Sequence, residues 1–150
     1  MGTKYNGTAS EKLALNTFIR FARAYHSVAG SINLHLKEAG LTATQFGVLE
    51  ALLHLGPMSQ QQLGDKLLKS GGNITMVIDN LSKRGLVERK KLKKDRRFYS
   101  IKLTISGQQL IASMFPGHVK HIYDRLRCLS PAEQSQLGEL CKKLGLNTKY

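Results

Sequence analysis

The chain has 150 residues, 41% of them hydrophobic, which is enough for one domain with its own core and too few for two ordinary domains. A formal net charge of +13 demands an acidic partner, and with 7% aromatic residues and no Trp a base-stacking platform for RNA or single strands is disfavoured against duplex DNA. No apolar run approaches the roughly 20 residues of a membrane span, Met1 to Ser10 lacks the apolar segment of a signal peptide, and Cys128 and Cys141 lack the spacing of a disulfide scaffold or zinc ribbon, so a cytoplasmic protein without cofactor or structural metal is expected.

The first predicted element is a long helix over residues 11 to 39, capped by Ser10, carrying Leu15, Phe18, Ile19, Ala22, Tyr25, Ala29 and Ile32 and stopped by Gly40. Its apolar stripe is longer than a compact domain can cover, which calls for a second chain. Thr42 and Gln45 form a capping box for a helix running to about Leu55, with Phe46, Leu49, Leu52 and Leu53 inward. Gly56-Pro57 breaks the chain. Ser59 and Gln62 then open a short helix that should bury Leu63, Leu67 and Leu68, and the turn Lys69 to Gly72 is expected to use glycine for its tight backbone.

From Ser70 the pattern becomes the most informative in the chain. Ile74, Val77, Ile78 and Leu81 recur at the spacing of one helical face, opened by Ser70-Gly71-Gly72 and closed by Gly85. That face packs inward, leaving Asn73, Thr75, Met76, Asn80, Lys83 and Arg84 outside, with a small, polar first turn suited to base edges and phosphates. The period then changes to two: Leu86 to Lys90 is a strand, and Tyr99, Ile101 and Leu103 alternate with Ser100 and Lys102 in its partner. The hairpin carries Lys91, Lys93, Lys94, Asp95, Arg96 and Arg97. Between Lys83 and Lys102 there are ten Lys or Arg against two acids, a density that repels itself unless a polyanion neutralises it. A helix with a polar outer face joined to a basic hairpin has the form of a winged helix-turn-helix DNA reader.

Thr104 caps a further helix holding Ile105, Leu110, Ile111, Met114, Phe115, Val119, Ile122 and Leu126, with a bend expected near Pro116. Ser130-Pro131-Ala132-Glu133 starts a last helix through Leu137, Leu140, Cys141 and Leu144, whose apolar stripe is expected to bury the Cys141 thiol. The fold class is therefore mainly α with a small β-wing: one domain over 1–150, with a DNA-binding lobe at 40–104 and a helical dimerisation region at 10–39 and 105–146. His118 and His121 lie three apart on one helix, a weak metal pair without a third ligand. There is no P-loop, Gly-x-Ser-x-Gly or His-Glu-x-x-His, so an enzyme is not expected.

These elements resemble the MarR family of bacterial winged-helix regulators over essentially the whole chain. The resemblance is carried by Leu81-Ser82-Lys83-Arg84-Gly85-Leu86-Val87-Glu88-Arg89, by Asp95-Arg96-Arg97 and by Leu103-Thr104-Ile105-Ser106-Gly107. It implies a homodimer that sets two recognition helices in successive major grooves of a pseudo-palindromic operator. Arg97 then matches the family's wing-tip Arg in the minor groove and Asp95 its partner, while Ser70, Gly72, Asn73, Thr75 and Met76 match its DNA-facing helix positions. Met76 departs from the usual polar residue and suits a thymine methyl. The resemblance further implies a repressor released by a small-molecule effector. The alternatives are an architectural protein that coats DNA without sequence preference and a thiol-based redox repressor; the family's oxidant-sensing Cys near the start of the first helix has no counterpart here.

Overall fold

The computed structural model describes residues 4–91 and 99–147. The chain order is α1 (Ala9–Glu38), α2 (Ala43–Leu55), β1 (Met58–Ser59), α3 (Gln60–Leu67), α4 (Gly71–Lys83), β2 (Val87–Lys91), β3 (Tyr99–Leu103), α5 (Ile105–Leu126) and α6 (Pro131–Leu146). This is the mainly helical winged-helix architecture expected.

Local signals set most of the helix ends. Thr42 with Gln45, Ser59 with Gln62 and Ser130 with Glu133 each form a reciprocal capping box, satisfying backbone donors that would otherwise be orphaned. α1 corrects the expected boundary. It begins at Ala9 with Thr8 as cap, because Glu11 lies three residues on and donors at both ends are satisfied, whereas Ser10 would have the apolar Leu13 in that place. α1 and α4 both end on a left-handed glycine, Gly40 (φ 72°) and Gly85 (φ 69°), followed by an N–H that reaches back five residues, Leu41 to Leu36 and Leu86 to Leu81.

The sheet has three antiparallel strands in the order β1-β3-β2. Val87 pairs with Leu103 and Lys91 with Tyr99, while Met58 and Ser59 pair with Ile101 and Ser100. The added strand β1 was not expected, because its two residues, the second of them the helix cap Ser59, are too few to show a period of two. It shelters β3 on its second edge.

The core gathers Phe46, Val48, Leu49 and Leu52 from α2, Leu63 from α3, the inward face of α4, Ile101 from β3 and Ile111 from α5. α1 contributes Leu36 near its C-terminus. α5 runs unbroken across Pro116. At its start, Thr104 Oγ1 donates to Gly85 O at 2.6 Å and Thr104 N donates to Leu86 O at 3.1 Å. A Cβ on Gly107 would fall 1.9 Å from that same Leu86 oxygen, so only glycine admits this approach.

Elsewhere the helices are under-used. α6 buries no residue, and Leu137, Leu140 and Leu144 stay exposed, as do Phe18, Phe21 and Tyr25 on α1 and Tyr123 on α5. Cys141 is consequently exposed in the chain, as is Cys128, contrary to the burial expected for Cys141. The stripe is apolar, but nothing among the described residues buries it.

Candidate nucleic-acid interface

The inward side chains of α4, namely Ile74, Val77, Ile78 and Leu81, are all buried, and at roughly 1.5–3 kcal/mol for each full burial they hold the helix by one face only. The other face is mostly exposed. Ser70 Oγ caps the helix by accepting from Asn73 N. Gly71 and Gly72 are the first helical residues, and an added Cβ at either would meet no atom within 4 Å. They are therefore not the turn residues expected. The left-handed position between α3 and α4 is taken instead by Leu68, at φ 51° and 91% exposed, where it was expected to be buried. Lys69 N reaching back to Gly64 O closes that turn.

The expected DNA-facing residues divide into two groups. Asn73, Met76, Asn80 and Lys83 are exposed, and the side chains of Asn73 and Asn80 make no hydrogen bond among the described residues. Thr75 and Arg84 have internal commitments. The Thr75 hydroxyl donates to Gly71 O at 2.8 Å and accepts from Gln60 Nε2, pinning α4 to the start of α3. Arg84 Nη1 donates to Gly40 O at 2.8 Å, tying the end of α4 to the α1–α2 turn.

The wing is likewise oriented by charge. Arg89 on β2 pairs with Asp79 on α4 at 2.5 Å, and Lys102 on β3 pairs with Glu88 on β2 at 2.8 Å. Lys91 is exposed with its Nζ 5.9 Å from the Tyr99 ring centroid. Lys93, Lys94, Asp95, Arg96 and Arg97 lie outside the described residues. The Asp79–Arg89 pair was missed in the sequence, although Asp79 is the one acid on α4 and so the available counter-ion for the cations that follow it.

Where α1, α2 and α5 meet, a seam of rings forms. His118 packs on Phe46 with centroids 4.2 Å apart, His35 on His121 at 4.3 Å, and His54 on Phe115 at 4.7 Å. His118 Nδ1 and His35 Nε2 are buried without a hydrogen-bond partner among the described residues. Burial pushes the His118 pKa below its ordinary value; His35 and His121 push the same way, and Glu50 opposes them. Among the described residues no three His, Cys, Asp or Glu are grouped to hold a metal. None of the described helices is long and apolar enough to cross a membrane.

Comparison with known proteins agrees with this geometry. The MarR family's sequence model matches residues 39–97. The HTH-type transcriptional regulator MhqR of Bacillus subtilis (strain 168) is 39% identical over 136 residues, covering 91% of this chain and 94% of the relative. Sco3205, a MarR family transcriptional regulator from Streptomyces coelicolor solved in complex with DNA, superposes with a TM-score of 0.84 at 22% identity, over 99% of this chain and 93% of that one. BpsR of Bordetella bronchiseptica, whose DNA binding is regulated by 6-hydroxynicotinic acid, gives a TM-score of 0.77 at 26% identity, over 88% of this chain and 98% of that one.

Proposed function

The chain belongs to the MarR family of DNA-binding transcriptional regulators and is not an enzyme, and from that premise we propose that it is a dimeric repressor of a pseudo-palindromic operator, released by a small ligand. The observation that carries the reading is α4. It is buried along Ile74, Val77, Ile78 and Leu81, open along Asn73, Met76, Asn80 and Lys83, and linked to strand β2 by the Arg89–Asp79 ion pair. Such a helix enters a major groove with its first turns toward the bases, while Lys91, Lys93, Lys94 and Arg96 would neutralise the backbone and Arg97, with Asp95 as its partner, would take the minor-groove role that the family resemblance implies.

Dimerisation accounts for the exposed apolar side chains of α1, α5 and α6, which a second copy would cover. A sequence-indifferent architectural protein would have no use for them. For the effector we favour a small aromatic acid or phenol that would open the packed ring seam, where two buried ring nitrogens have no partner among the described residues and Phe46 and Phe115 are the apolar neighbours. BpsR, a relative in fold, is regulated by a ligand of that class.

The test is footprinting upstream of the protein's own gene in the presence of excess bulk DNA, followed by a screen of aromatic acids and phenols for release. Protection that vanishes with competitor favours the architectural reading. The exposed Cys128 and Cys141 also call for a comparison under mild peroxide with the Cys128→Ser, Cys141→Ser double variant. Release of the wild type alone would make the protein a thiol sensor and remove the ligand reading.

A further inference from the structure

The open face of α4 has a narrow chemistry. Asn73, Met76 and Asn80, at i, i+3 and i+7, share one exposed stripe, with Met76 59% exposed. The other polar side chains within that span are occupied, Thr75 by Gly71 O and Gln60, and Asp79 by Arg89. The first cation on the helix is Lys83, ten residues beyond Asn73 and about 15 Å further along the axis. The part of α4 that leads into a groove therefore offers two carboxamides and a thioether, and no guanidinium or ammonium.

Base edges in the major groove respond differently to these groups. Guanine shows two acceptors, O6 and N7, and is read by the paired donors of Arg or by Lys. A carboxamide sets its amino group beside its oxygen, so its bidentate pairing matches N7 and N6–H of adenine; in the same pairing against guanine its oxygen would face an acceptor. A thioether packs against the methyl of thymine, and against a G·C edge it strips water from polar atoms without replacing their hydrogen bonds. Resting on the reading of α4 as the groove-entering helix, we propose that Asn73, Met76 and Asn80 are specificity-determining residues and that the base pairs beneath them are A·T, read through adenine amide contacts and thymine methyls.

The experiment is in vitro selection of binding sites from a random duplex library with the full-length wild type, Asn73→Ala, Met76→Ala and Asn80→Ala. Circular dichroism of each variant confirms the fold; all three positions are exposed, so packing is left intact. The wild type should select A·T at each position that an alanine variant relaxes. On the selected duplex, deoxyuridine in place of the thymidine opposite Met76 should weaken wild-type binding severalfold and leave Met76→Ala unchanged, and 7-deazaadenine at the Asn73 position should cost about tenfold in wild type alone. Selection of G·C at the relaxed positions, or indifference of the wild type to both base analogues, would overturn the assignment while leaving α4 as the reading helix. Failure to enrich any duplex would overturn it together with the DNA-binding reading on which it rests.

Discussion

Gly72→Ala separates the stability of α4 from its use. The position is helical with an ordinary φ, and an added Cβ meets nothing within 4 Å, so the protein itself presents no steric objection. Replacing a helical glycine by alanine gains about 0.5–1 kcal/mol from the reduced entropy of the unfolded chain, which in a domain of this size raises Tm by about 2–3 °C. Affinity for DNA should move the other way. The N–H groups of Gly71 and Gly72 open the helix, and a methyl there stands between those donors and an approaching phosphate. A hydrogen bond to a charged group is worth about 1.5–3 kcal/mol, so losing one costs at least about tenfold per half-site. Thermal unfolding followed by circular dichroism and fluorescence anisotropy with an operator duplex measure the two effects on the same preparation. A variant that is both more stable and equally tight would refute the claim that the glycine is kept open for DNA, and a destabilised variant would refute the claim that it is free inside the protein.

Asp79→Asn makes the protein one charge more positive, so a simple charge cloud would bind DNA more tightly. Loss of the Arg89 pair should instead free the wing and weaken binding severalfold in anisotropy titrations, at a stability cost of only about 0.5 kcal/mol because both partners are partly exposed. Leu68→Gly relieves a left-handed residue and should stabilise the fold by about 1 kcal/mol in urea unfolding; an unchanged or lower midpoint would deny that strain. His118 has a pKa lowered chiefly by burial, so the unfolded chain binds its proton more readily than the folded one. Its contribution to stability is present above about pH 6.5 and is lost as pH falls through the folded-state value, and the urea midpoint should drop over that window more steeply in wild type than in His118→Phe. Parallel pH profiles would remove His118 from the account.

The inward face of α4 was legible because its four apolar residues obey one period and all of them meet the same core. Capping boxes were legible for a different reason: both halves of each lie within four residues, so no tertiary knowledge is needed. Thr8 with Glu11 carried that same signal, and the expectation of Ser10 overlooked it. What could not be read was whatever depends on a partner distant in sequence. Arg89 counted as a free cation until Asp79 was seen beside it, and Arg84 until Gly40 O was. The apolar pattern around Cys141 told correctly that the face is hydrophobic, but not that it stays exposed in the single chain. Leu68 was misread because a leucine in an apolar series is expected inward, and only the backbone reveals that it fills a glycine's place.

The joint at Thr104, Gly107 and Leu86 has a mechanical consequence. The base of the wing and the first turn of α5 meet at close range: Thr104 bonds Gly85 O through its hydroxyl and Leu86 O through its N–H, and at Gly107 no side chain stands between the two backbones. α5 is a rod of 22 residues, about 33 Å long, mounted on that joint without slack. A tilt of about 5° at the base would move its far end by about 3 Å, and the ratio works equally in reverse. In the proposed dimer, whose two reading helices would stay about one DNA turn apart, roughly 34 Å, a ligand beside α5 would not need to touch α4 at all. On the proposed reading, tipping the rod would be enough, and the close Gly107–Leu86 contact would pass the change in spacing on to the groove.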